Sequence, residues 1–251
     1  MRRFYIEPSV TTQPVLTIKG PEVHHIKNVL RLKPGDHINL FDGTGYEYEA
    51  VVAALDAQKV EVEIRRKFQP ASSSGVQIIV AQSFLKEKKM DDLVRKICEL
   101  GMAGWLPFFS QRAIARPDKK RLAGRTQRWN RIATESLKQC RRIDMPQIYE
   151  AHTFEEVLDF SRTCDLKIVF WENETTALSR EMGSNAGDSL NKVLVMVGPE
   201  GGFTAQEIEM ARENGFVVAG LGPRILRAET AAAAAAALAQ YVFGDIGPRD
   251  S

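Results

Sequence analysis

No stretch of the chain reaches the ~20 apolar residues that a membrane span requires; the nearest, residues 231–243, is too short and carries Gln240. The opening residues MRRFYIEP hold charge with no apolar region behind them, so no signal peptide is expected. Cysteine is scarce as well. Cys98, Cys140 and Cys164 are odd in number and show no CxxC spacing. That pattern argues for reduced thiols in a cytoplasmic protein and against a disulfide scaffold or a zinc site. Two phosphate-loop signatures, GxGxxG and a glycine loop ending in Gly-Lys-Ser/Thr, are missing, and there is no internal repeat.

Acidic residues are rare in one place only. Between Arg112 and Arg142 there are 11 Lys/Arg against Asp118 and Glu135, a local balance of +9; the remainder, 23 basic against 30 acidic, stands at −7. So lopsided a distribution within a net charge of +2 is the footprint of a polyanionic partner, since a merely solvated helix face usually intersperses acids. The same region predicts a long helix over residues 117–140. Leu122, Trp129, Ile132, Ala133 and Leu137 approximate its core stripe, while Arg121, Arg125, Arg128 and Arg131 line another face suited to phosphate contacts.

The remaining composition, 44% hydrophobic and 26% charged over 251 residues, is that of an ordinary globular protein of one or two domains. Residues 1–70 read as a small β-rich domain. Strand patterns at 36–42, 46–52 and 60–64 are punctuated by Pro34-Gly35 and Asp42-Gly43, as in a compact barrel. A helix opened by Pro21 turns Val23, Ile26 and Leu30 inward; His24, Asn28 and Arg31 form its polar stripe, and periodicity leaves His25 half-buried beside Val29 and Leu32. Residues 69–75 (QPASSSG) read as a linker. Residues 76–247 then alternate strands and helices, which predicts an α/β domain with a mainly parallel sheet.

Two loops of that domain hold its chemistry. The run VLVMVGPEGGF at 193–203 turns a strand buried on both faces into a glycine-rich loop, and Thr204 and Glu207 have capping-box spacing for a helix from about Ala205. Phe203 and Ile208 stand where a hydrophobic staple would. Glu200 would repel a phosphate; it suits hydroxyls or a cationic ligand. Glycines there allow close approach of a ligand, so a branched side chain at Gly201 is expected to fill its space. A second loop, Gly222-Pro223-Arg224-Ile225-Leu226-Arg227, precedes a helix with seven successive alanines. Alanine is the best helix former; small side chains also let a helix press against other backbone. Read from these residues alone, a non-catalytic RNA-binding protein and a nucleotide-binding switch both stay open beside an enzyme.

Over nearly its whole length the sequence resembles the bacterial small-subunit ribosomal RNA uridine-N3 methyltransferases, the RsmE type of the SPOUT superfamily. The matching pieces are His25 with Val29-Leu30-Arg31, Glu99-Leu100-Gly101 with Pro107, Ser110 and Arg112, Trp129 with Ile132-Ala133, Gln139-Cys140 with Arg142 and Pro146, Val197-GPEGG-Phe203 with Glu207-Ile208, and LGPRILRAETA at 221–231. Departures are Leu137-Lys138, where the family has smaller or acidic residues, and residues 173–188. The resemblance implies a PUA-like barrel followed by an α/β domain with a C-terminal trefoil knot, a homodimer, no metal, no membrane partner, and S-adenosylmethionine (SAM) as cofactor. It implies a SAM pocket from Gly198, Glu200, Gly201, Leu221, Ile225, Leu226, Arg227 and Thr230. RNA contacts, with the 16S ribosomal RNA or the small ribosomal subunit as partner, would come from His25, Arg31, Arg112, Arg121, Arg125, Arg128 and Arg142. Methyl transfer to an imide nitrogen leaves negative charge that an arginine can stabilise; Arg142 and Arg227 are the candidate catalytic residues.

Overall fold

A computed structural model describes residues 2–8, 13–70, 75–86, 89–179 and 190–247. The chain divides into two compact units, Met1–Ser72 with Leu137–Met145, and Ser73–Ser136 with Pro146–Ser251. The division at 72 falls within the Pro/Ser/Gly stretch, of which residues 71–74 lie outside the described residues. The second, returning segment has no counterpart in the sequence reading.

In the first unit a five-stranded sheet runs in the order β1 (Arg3–Tyr5), β3 (His37–Phe41), β4 (Glu47–Leu55), β5 (Lys59–Phe68), β2 (Val15–Lys19). All its neighbours are antiparallel except β1 and β3. Alternation puts Ile38, Leu40, Tyr48, Ala50, Val60 and Val62 into one core, with Leu16 and Ile18 from the edge. Two register shifts between β4 and β5 bend the sheet. Helix α1 (Pro21–His24) continues as one π-turn, His25–Val29. Val23 and Ile26 are buried and Leu30 packs partly against the same core. His25, at the start of that turn, is exposed, with its ring centroid 6.0 Å from that of Phe4, and the wider turn moves Val29 off the line it would share with His25 in a regular helix, which corrects the half-buried reading.

The returning segment completes this unit. Met145 N–H donates to Gly43 O, Gly45 N–H to Ile143 O, and Thr44 bridges Asp144. Leu137 is fully buried and Lys138 pairs with Glu22, so both residues that depart from the family pattern serve packing here.

The second unit is built on parallel strands in the order β12 (Val217–Ala219), β10 (Leu166–Phe170), β11 (Lys192–Val197), β6 (Gln77–Ser83), β7 (Gly104–Phe109), β8 (Gln147–Ile148), with β9 (His152–Thr153) also on β7. Continuous apolar strands such as β11, buried at Val193–Val197, need cover on both faces. That cover comes from α2 (Lys89–Glu99), α3 (Lys119–Cys140), α4 (Phe154–Ser161), α5 (Ala205–Glu213) and α6 (Ala228–Phe243). Helix α6 lies against α2, β6 and β11 through Ala232, Ala235, Ala236 and Ala239, all fully buried, so the alanine run does press against other elements. Among the described residues no helix is long and apolar enough to cross a membrane.

Candidate active-site pocket

Strand order places the ends of β11, β10 and β12 side by side, and the chain leaves β10 in one direction to form β11 and crosses back over it to form β12. Loops at such a reversal leave a crevice outside the carboxyl ends of the strands. Here it is a cavity of about 530 Å³, within the range of small-molecule sites. Gly198–Phe203 form one wall, Leu221, Gly222 and Arg224–Ala228 with Ala231 another, and Phe170, Trp171 and Glu172 the floor between them.

The first wall is held from several directions. Thr204 and Glu207 form the expected capping box at α5, and Phe203 and Ile208 are buried. Glu207 does more than cap: its Oε1 accepts from Gln111 N–H at 2.7 Å, tying the loop after β7 to the loop after β11. Gln82 Nε2 donates to Gly198 O at 2.8 Å from inside the sheet. Arg112 donates to Gly201 O at 2.9 Å, so this sequence-named RNA residue braces the loop. A Cβ on Gly201, itself a lining residue, would meet Arg112 Cβ at 3.3 Å, so the brace as well as the cavity limits what fits there. Two other glycines are constrained more tightly. Gly202 has φ +64° with Glu172 Oε1 only 2.0 Å from where its Cβ would stand, and at Gly220 that position is 2.0 Å from the Glu174 carbonyl oxygen.

Glu200 accepts from Lys86 N–H and Lys89 Nζ, both at 3.1 Å. Lys89 Nζ also lies 3.3 Å from Glu229 Oε2 in the first turn of α6. Burial alone would raise the Glu200 pKa, but the Lys86 N–H and the Lys89 ammonium hold it below the usual carboxylate value. The hydrogen bond to Glu200, with Glu229 adding to it, pushes the Lys89 pKa up. Both are charged near neutral pH. Lys89 and Glu172 went unnamed in the sequence reading; Lys89 meets its partners 111 and 140 positions away, and no local signal marks such a contact.

Seven of the eight sequence-named pocket residues line the cavity, and Thr230 does not. It is exposed, ~200° round the helix from Ala228, which faces inward. Ile225 is 90% exposed at the mouth, unusual for a large apolar side chain without a partner. Arg227 is an exposed lining residue and the residue before α6.

The other arginines are spread over both units. Arg31, exposed with φ +51°, and Arg142 belong to the first. In α3, Arg128 pairs with Asp91 at 2.8 Å, next to the Trp129 Nε1 donation to the same carboxylate, and Arg125 sits 5.8 Å over the Phe84 ring. Arg121 is exposed, with Asp118 a loose 3.7 Å partner.

A family model described as an RNA methyltransferase domain matches residues 72–240, and one described as an RNA methyltransferase PUA domain matches residues 18–65. The chain belongs to this RNA methyltransferase family. It is 31% identical over 237 residues to the ribosomal RNA small subunit methyltransferase E of Bacillus subtilis, covering 92% of this chain and 93% of that protein. The crystal structure of the enzyme of that name from Neisseria gonorrhoeae, bound to S-adenosyl methionine, matches with a TM-score of 0.84 at 33% identity over 98% of this chain and 99% of that one. A Legionella pneumophila structure in complex with SAM matches with a TM-score of 0.85 at 28% identity, over 98% and 99%.

Proposed function

We propose that this protein is a SAM-dependent methyltransferase acting on N3 of a uridine in 16S ribosomal RNA, in the cytoplasm. The observation that carries the reading is the meeting of the two Gly-Pro loops, from β11 and β12, in one cavity at the carboxyl ends of adjacent parallel strands. SAM fits the residues present. It carries no phosphate, in keeping with the carboxylates of Glu200 and Glu172 on the lining. Gly198, Glu200 and Gly201 would hold it on one side, and Leu221, Ile225, Leu226 and Arg227 on the other. When bound, it supplies a methyl group on a cationic sulfur.

The work left to the chain is alignment and charge stabilisation. Loss of the imide proton from N3 leaves negative charge over the ring oxygens. Arg227, at the pocket mouth, and Arg142 are the arginines proposed to hold that charge. Arg142 sits where a short segment is fixed by its own carbonyl and by Met145, so its position is defined. A C-terminal knot and a homodimer belong to the same reading; the tight passage of Gly220 against Glu174, with Ala177 bridged to Gly220, supports the first. Leu238 and Tyr241, exposed on α6, support the second.

Calorimetry with SAM tests the reading, followed by mass spectrometry of ribosomal RNA from cells lacking the protein, before and after incubation with it. SAM binding with no methyl gained by the RNA would return the protein to a non-catalytic RNA binder.

A further inference from the structure

One ammonium joins the two walls of the pocket. Lys89 stands between Glu200, from the loop after β11, and Glu229, from the first turn of α6, at 3.1 and 3.3 Å. The cluster is sheltered, its side chains 31%, 26% and 23% exposed in that order, and the Oε2 of Glu229 is buried against the Lys89 ammonium. Two carboxylates against one ammonium leave it a net charge of −1. Glu229 stands behind the lining, whose other charged groups, Glu172, Arg224 and Arg227, are exposed, where water and salt weaken their reach. Glu229 lies in the first turn of α6.

We propose that this triad sets the pocket's preference for SAM over its product S-adenosylhomocysteine. The inference rests on the reading that the pocket takes SAM. The two ligands share adenine, ribose and amino-acid end, and differ by one methyl group and one positive charge. A sheltered field of negative sign therefore favours the sulfonium and releases the neutral thioether. Lys89 limits that field while tying the loops, so it is a specificity-determining residue and not one that touches the reacting atoms.

Titration calorimetry with each ligand, on the wild type and on Lys89→Met, Lys89→Arg and Glu229→Gln, separates this role from bracing. Lys89→Met should raise the ratio of SAM to S-adenosylhomocysteine affinity on the order of tenfold, as removing a unit charge roughly 12 Å away at an effective dielectric of about 20 does. Glu229→Gln should lower it by a similar factor, and Lys89→Arg should keep the wild-type ratio. Should Lys89→Met fail to fold by circular dichroism, the near-isosteric Glu229→Gln decides alone. Equal weakening of both ligands, with the ratio unmoved, overturns the inference. A wild-type protein that binds neither overturns the reading of the pocket, and this inference with it.

Discussion

Arg3 donates from its guanidinium to the main-chain carbonyl of Arg142, at 2.7 Å and 139 positions further along the chain. The same group donates to Leu137 O at 2.7 Å, pairs with Glu47 and lies 3.9 Å over the Phe41 ring. A rigid planar fork is what so many directions demand, and lysine could not supply it. The first residue of β1 thereby fixes the segment that carries a candidate catalytic arginine.

Arg3→Met should cost roughly 3 kcal/mol, the low end for removing one partner of a buried ion pair. Hydrogen exchange at Met145, whose N–H bonds to Gly43, reads it, and should accelerate by about a hundredfold at that cost. Arg3→Lys should lie between. Exchange at the wild-type rate would show the fork to be dispensable.

For Arg142→Ala, single-turnover methyl transfer should fall on the order of 10²–10³-fold while SAM affinity holds, as when one donor is taken from an oxyanion site. Mixing it with a SAM-pocket variant tests service to a partner subunit: a statistical mixture of dimers would regain about a quarter of the sites. An unchanged rate removes Arg142 from the chemistry.

The arginines of α3 should not contribute alike to RNA binding. Arg121, 77% exposed at its side chain, and Arg131, also exposed, are available to phosphates, whereas Arg128 is engaged with Asp91. Replacing Arg121 and Arg131 by Ala should flatten the log–log salt dependence of RNA affinity by roughly one to two units. Arg128→Ala should change that slope little and lower the melting temperature instead. Equal slopes for both variants would show that the Asp91 pairing gives way to RNA.

Gly220 and Gly222 offer a paired comparison. A methyl at Gly220 runs into the main chain at Glu174, which no side-chain rotation relieves, so Gly220→Ala should cost about 3 kcal/mol or more and abolish SAM binding. Gly222, at φ +90° with nothing within 4 Å, should lose only the roughly 1–2 kcal/mol of left-handed strain. Thermal melts with and without SAM measure both; similar losses would mean that the passage at Glu174 opens readily.

Much of the second unit was legible because its signals are local. Thr204 and Glu207 are three residues apart, the β11 run is continuously apolar, and both Gly-Pro loops announce themselves. Helix α4 carries the same capping box at Thr153 and Glu156, yet it passed unread, since two-residue strands precede it in place of an apolar run. His25 was misplaced because it was read on one line with Val29 and Leu32, and the π-turn that begins at His25 shifts those later side chains round the axis. Contacts made by Lys89, Arg3 and Arg112 depend on pairings about 90 to 140 positions apart, and no periodicity records those.

The discontinuous first unit has a consequence for synthesis on the ribosome. After Ser72 has been made, 64 residues intervene before Leu137 supplies Arg3 with its first main-chain acceptor. At ~5–20 residues per second that is a wait of roughly 3–13 s. For that interval the nascent sheet exposes the turn at Gly43 and keeps its buried-to-be guanidinium in water. The amino-terminal unit therefore matures only once most of α3 exists, so the first unit to begin in a protein proposed to modify ribosomal RNA must wait for a segment made after the first part of the second.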